Sequence, residues 1–302
     1  MLNLVSVSRK VEKNEPFSIK NSGLTIIVMI ALLACMLSTG ISTYFRKIVY
    51  RVFQQGALAM LAYQTKDYEK LASNTFILKY TKEDEELASI VLTLAEEYLQ
   101  EAEKILGLKH ASRQIPLVFY RDEESLKRSF GWTGDKSAVG VYWAGSIRLV
   151  SPYGWNSRSP QNSAEAREIF AREGPLAHEL THLLVDKVTG GNYPRWLTEG
   201  LAQDVEERIT GFTLDEPSAD RKAKAYSFKK LDKEFDEQPD QYLAYWQSFH
   251  AVRQLLARGG KERMGALLRA LGKGQEFHRA FAETYGVEFA DFAREVFGLA
   301  SW

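Results

Sequence analysis

Residues 177–202 have the sequence AHELTHLLVDKVTGGNYPRWLTEGLA, which carries the clearest structural pattern in the chain. Apolar residues recur at helical spacing on both sides of a central GGNYP segment, which is a strong turn signal. The pattern predicts a helix, a turn and a second helix that begins near Arg195. In such an arrangement, side chains of the second helix can face back onto the first.

The first of these helices carries the pentad HELTH, which is typical of a metal site. His178 and His182 are four residues apart, so they lie one turn apart on the same face of a helix and can bind one ion. Glu179 lies next to His178, where a general base could take a proton from metal-bound water. The chain has five histidines, so a chance HExxH has a likelihood on the order of one in a hundred. Two histidines on an ordinary helix face are the alternative, but burying them without partners in this apolar helix would be costly.

A catalytic zinc site needs a third protein ligand and an open position. Glu199 lies in the second predicted helix, and its neighbours Trp196 and Leu197 are apolar. We therefore expect Glu199 to face the two histidines, whereas Glu206 and Glu207 are interpreted as solvent-facing charges.

Zinc-binding histidines usually donate their other ring N–H to a carboxylate or a carbonyl. Asp186, four residues after His182, and Asp204, five residues after Glu199, are candidates for this role. Ordinary helix-surface charge is the alternative for each.

Taken together, residues 177–202 resemble the gluzincin metallopeptidases, specifically the bacterial peptidase MA-like domain, and the pentad has the thermolysin-like form. The resemblance covers about residues 75–298 in layout and is sharp across about 175–205. It implies that His178, His182 and Glu199 bind Zn²⁺ and that Glu179 is the general base. It also implies that an edge strand at 140–148 lines the cleft and pairs with an extended peptide substrate.

The same resemblance gives a candidate role to Tyr245. This residue occupies the position of a tyrosine in the Y-x-x-S segment of the family, here YWQS at 245–248. The implied catalytic role is to stabilise the tetrahedral oxyanion. A core aromatic is the alternative.

Periodicity elsewhere predicts a small sheet followed by helices. Strands are expected at 75–80 and 115–120, with a hairpin formed by 138–143 and 146–151. Between them we expect helices at about 81–107 and 123–130, and a single long helix at 163–188 over the motif. Further helices are expected at 195–209, 240–258, 261–271, 275–285 and 288–297. The predicted fold class is α+β and zincin-like: a small mixed sheet whose edge strand packs on the motif helix, then an all-helical C-terminal lobe.

Composition excludes some classes of protein and of site. Lys plus Arg and Asp plus Glu both total 39, and no basic block is present, so nucleic acid is not an expected partner. The single cysteine, Cys35, excludes an intrachain disulfide and a cysteine-based zinc site.

Residues 24–41, LTIIVMIALLACMLSTGI, contain no charge and approach the length needed to span a bilayer. We interpret them as a transmembrane signal anchor after a cytoplasmic tail at 1–23. A juxtamembrane linker helix at 42–73 and a peptidase MA-like domain at 74–302 would follow. A cleaved signal peptide, a lipoprotein signal at Cys35 and a buried core helix are the alternatives.

The sequence thus predicts a single-pass protein of the cell membrane with an extracytoplasmic catalytic domain. The predicted activity is zinc-dependent hydrolysis of a peptide or protein substrate, as an endopeptidase. Two alternatives stay open: a metal-binding but catalytically inactive interaction protein at the membrane surface, and a structural domain without metal.

Overall fold

The computed structural model describes residues 43–110, 114–133, 138–155 and 160–298. The chain divides into two compact units, Met1–Val49 and Tyr50–Trp302. In the first unit, the described residues belong to helix α1, Thr43–Gln64. The predicted anchor at 24–41 lies outside the described residues. Within the described part, no helix is both long and apolar enough to cross a membrane.

The second unit contains a mixed sheet of five strands: β1 Glu69–Ala72, β2 Phe76–Tyr80, β3 Ile115–Tyr120, β4 Gly140–Trp143 and β5 Ser146–Val150. Their order in the sheet is β1-β2-β3-β5-β4. The two edge strands, β1 and β4, run antiparallel to their neighbours, whereas β2, β3 and β5 are parallel. The central strands are largely buried and rich in apolar residues, as expected for strands covered on both faces.

All regular elements described after β5 are helices, and none is a strand. This confirms the α+β class with a helical C-terminal part. Helix α9, Gln241–Gly272, is interrupted at Gly260, where φ is +62°, close to the predicted gap between two helices. The remaining helices are α2 Glu85–Leu106, α3 Glu123–Phe130, α4 Ser163–Glu173, α5 Leu176–Thr189, α6 Arg195–Thr210, α7 Ala219–Lys222, α8 Phe228–Lys233, α10 Phe277–Tyr285 and α11 Phe289–Phe297.

Two elements differ from the prediction. The single helix expected at 163–188 is two helices, because Pro175 has no N–H and disfavours helical backbone at Gly174. The break places the HELTH pentad at the start of α5. Strand β1 was not predicted: it is short and mostly exposed, so it lacks the apolar alternation that reveals a strand.

Helices α6 and α9 approach each other very closely at Gly200. A Cβ atom at this position would lie 2.2 Å from the carbonyl oxygen of Ser248 and 2.6 Å from Val252 Cγ2. At the start of α6, the Trp196 ring packs on the rings of Phe228 and Phe289, with centroids 4.8 and 5.4 Å away. These contacts fix the part of α6 that carries Glu199.

Replacing Gly200 with alanine is expected to destabilise the protein by about 1–3 kcal/mol, because the added methyl group meets backbone of α9 that cannot move aside cheaply. Denaturant unfolding measures this change. The matched control is Gly56→Ala in α1, where a Cβ meets nothing within 4 Å. This control is expected to be neutral or stabilising, since alanine is the better helix former. Equal stability of the two variants would contradict the close approach.

Candidate metal site

Helices α5 and α6 bring three predicted ligands together. Glu199 Oε2 lies 3.2 Å from His178 Nε2 and 3.5 Å from His182 Nε2. One ligand atom from each residue lies within 4.8 Å of the other two. A tetrahedral zinc ion with bonds of 2.0–2.1 Å would separate its ligand atoms by about 3.3 Å. The three side chains therefore fit a single divalent ion.

Glu199 is almost fully buried, with 1% of the residue exposed. Its second oxygen, Oε1, pairs with Arg195 Nε at 2.6 Å, one turn earlier on α6. Burial would raise the pKa of the Glu199 carboxyl, but the adjacent His182 and Arg195 hold it well below its usual value. Glu199 is thus ionised, which a metal ligand requires.

Hydrogen bonds at the other nitrogen orient both imidazoles. His178 Nδ1 lies 3.1 Å from Glu206 Oε2, and His182 Nδ1 lies 2.7 Å from Thr198 Oγ1. Gln203 donates to the same Glu206 oxygen at 2.6 Å. Because this Glu206 oxygen accepts, Nδ1 of His178 carries the proton, and Nε2, which lies 3.2 Å from Glu199 Oε2, is the nitrogen that can bind a metal.

The interpretation of Glu206 as a solvent-facing charge is therefore wrong: its residue exposure is 8%. The sequence held a usable signal. Glu206 follows Glu199 by seven residues, which is two helical turns, so both lie on one face of α6. The side chain of the neighbouring Glu207 does not face His178 and instead pairs with Arg253.

The aspartates proposed as partners of the histidines have other contacts. Asp204 pairs with Arg208 and Arg253. Asp186 accepts hydrogen bonds of 2.5 Å from the hydroxyl groups of both Tyr50 and Tyr142. Among the described contacts, neither aspartate bonds to a histidine.

Glu179 lies between the metal ligands and edge strand β4. Its Oε2 accepts the backbone N–H of Tyr142 at 2.5 Å. A Cβ atom at Gly140 would lie 2.4 Å from Pro175 Cγ and 3.1 Å from Glu179 Oε1, so glycine permits this close approach of β4 to α5. Burial raises the pKa of the Glu179 carboxyl, and the two histidines oppose this shift only in part.

Helix α1 holds the same strand from another side. Tyr50 and Gln54 on α1 both donate to Asp186, which in turn accepts from Tyr142 of β4. The Phe53 ring meets the Trp143 ring edge-on at 5.5 Å. Residues of α1 therefore fix both β4 and the motif helix.

Tyr245 lies beside the site, on α9. Its ring centroid is 6.3 Å from that of His178 and 5.1 Å from that of Phe235. Burial, followed by the charge of Glu199, raises the pKa of the Tyr245 hydroxyl. The phenol therefore stays protonated and can donate a hydrogen bond.

Replacing Glu206 with alanine is expected to weaken zinc binding by roughly 10–100-fold, because His178 loses the carboxylate that orients it. Competition with a fluorescent zinc chelator measures the affinity. Glu207→Ala, one position along the same helix, is the matched control and should bind zinc as the wild type does. The orienting role would be excluded if both variants bound zinc equally well.

Residues 166–296 match the family model of the Peptidase MA superfamily. This segment includes His178, His182, Glu199 and Tyr245, so the resemblance stated from the motif is confirmed there. A comparison with curated proteins finds no match.

Proposed function

We propose that this chain, whose residues 166–296 match the Peptidase MA superfamily, is a gluzincin-type zinc endopeptidase. The observation that carries the proposal is the convergence of His178, His182 and Glu199 on one point, with the carboxylate of Glu179 beside them. Two neutral imidazoles and one carboxylate are a ligand set typical of catalytic zinc and leave a coordination position open.

Zinc bound there supplies Lewis acidity to the peptide carbonyl and lowers the pKa of water. Glu179 takes the proton from the attacking water and delivers it to the leaving amine. Arg195 holds Glu199 by its second oxygen, and Glu206 and Thr198 hold the imidazoles, so the ligands need little rearrangement.

The outer edge of β4 supports a peptide as substrate. Tyr142 is paired with Ile147 of β5, yet its N–H points away from β5 and donates to Glu179. Gly140, two residues earlier, has its backbone groups on the same outer side, because these groups alternate along a strand. An extended peptide can pair with this edge and lie directly against Glu179.

Replacing Glu179 with glutamine is expected to lower turnover by about 10²–10⁴-fold or more, because general acid–base catalysis is lost, while zinc stays bound. Cleavage of a peptide library followed by mass spectrometry measures turnover and separates internal from terminal cleavage. Elemental analysis measures zinc. Removing zinc with a chelator should abolish cleavage, and adding zinc back should restore it.

A Glu179→Gln variant as active as the wild type would exclude Glu179 as the base. A wild-type protein that binds stoichiometric zinc but cleaves no peptide would favour the catalytically inactive interaction protein. Absence of bound zinc would refute both hypotheses.

For Tyr245 we propose the oxyanion-stabilising role. Tyr245→Phe is expected to lower kcat by roughly 10²–10³-fold, the usual cost of losing one oxyanion donor, with zinc affinity unchanged. Tyr242→Phe on the same helix is the control, because its hydroxyl bonds to the carbonyl of Asp215 instead. Wild-type kcat in Tyr245→Phe would leave Tyr245 as a packing aromatic only.

We also propose that residues 24–41 anchor the chain in the cell membrane once, with the catalytic unit outside the cytoplasm. The support is the uncharged run of 18 residues in that segment.

A further inference from the structure

Exposed large hydrophobic side chains are concentrated on α1. In the described part of the second unit, five such side chains are between 40% and 59% exposed. Three of them, Val52, Met60 and Tyr63, lie on α1, and the other two, Phe212 and Val287, are scattered. Single exposed apolar residues are normal, but a group on one helix calls for a partner.

The exposed side chains form one stripe along α1. Val52, the exposed Ala59 and Tyr63 follow the spacing i, i+7 and i+11, so they lie on one helix face, and Met60 borders it. Ala57 and Leu61, on the other side of the helix, are buried. Helix α1 is therefore apolar on two faces, and from Val52 to Tyr63 the described residues cover only one of them.

Contacts on the opposite side of α1 prevent the helix from rotating to bury this stripe. Tyr50 and Gln54 bond to the buried Asp186, and Phe53 packs on Trp143. These contacts fix the rotation of α1 about its own axis, so the stripe is presented outward.

Charge indicates what covers the stripe. Residues 43–64 contain no Asp or Glu, and they include the exposed cations Arg46, Lys47 and Arg51. An apolar stripe flanked by cations, with a tyrosine on it, is the composition of a helix that lies in the surface of an anionic membrane. The uncharged run at 24–41 ends immediately before α1.

We propose that α1 lies in the interfacial region of an anionic lipid bilayer, with Val52, Ala59, Met60 and Tyr63 against the lipid. This inference rests on the proposed membrane attachment and not on peptidase activity. Because α1 also holds Asp186 and Trp143, the bilayer contact orients the substrate edge β4 relative to the membrane surface. Peptide segments near that surface are then the favoured substrates.

Spin labels on the full-length chain test the proposal. Cys35→Ser removes the only native cysteine, and single cysteines then replace Val52 or Met60. The matched controls replace Phe212 or Val287, which are exposed apolar residues outside α1. The labelled proteins are reconstituted in vesicles of phosphatidylcholine and phosphatidylglycerol. Labels at 52 and 60 are expected to lose access to a water-soluble nickel complex and to gain collisions with oxygen, whereas the control labels stay accessible to nickel.

Flotation of the vesicles reports attachment separately. If the protein floats but labels 52 and 60 remain as accessible to nickel as label 287, this inference is overturned and the anchor stands. If the protein does not float, both fail. Labels at 52 and 60 that are shielded from both reagents and broadened by dipolar coupling would assign the stripe to a second copy, which also overturns the bilayer contact. Peptide cleavage by the same samples tests the proposed function independently.

Discussion

The carboxylate of Glu199 has lost nearly all contact with water, and two imidazoles and one guanidinium surround it. An unpaired charge in such a place would cost several kcal/mol, so the surrounding helices must deliver its partners accurately. Helix α5 positions the two imidazoles because a new helix begins directly after Pro175. Helix α6 delivers the carboxylate only because Gly200 lets α9 pack directly behind it.

Most of the site is carried by one helix. Besides Glu199, α6 supplies Thr198 for His182 and Glu206 for His178, and Gln203 donates to Glu206. A shift of α6 along or about its axis would therefore disturb both imidazoles and the carboxylate together. The aromatic packing around Trp196 opposes such a shift. Because one helix supplies most of the site, a short segment of sequence carries most of the resemblance to the family.

The parts that could be predicted from the sequence are those set by local patterns. His178, Glu179 and His182 follow from spacing on one helix, and Glu199 follows from its apolar neighbours. Strand β3 and helix α3 have the predicted bounds because apolar runs, caps and turn residues agree there. The pairing of Asp186 with Tyr50 joins residues 136 positions apart, and no periodicity reveals such a contact. Glu206 was predicted to be solvent-exposed because it lies beside Glu207 in a charged run. Its spacing of seven residues from Glu199 places it on the same, buried face of α6.

The edge strand β4 is held by Glu179 and Asp186 of α5, and α1 contacts both Asp186 and β4. Strand β5 pairs with one side of β4. Glu179 accepts a hydrogen bond from the Tyr142 N–H, and Asp186 accepts one from the Tyr142 hydroxyl. Asp186 is buried, and of the three side-chain donors to it among the described residues, two come from α1. Without Tyr50 and Gln54, this carboxylate would keep Tyr142 alone, and a buried charge with missing donors is destabilising. The geometry of strand β4 thus depends on residues that precede the sheet in sequence, and the second compact unit begins at Tyr50.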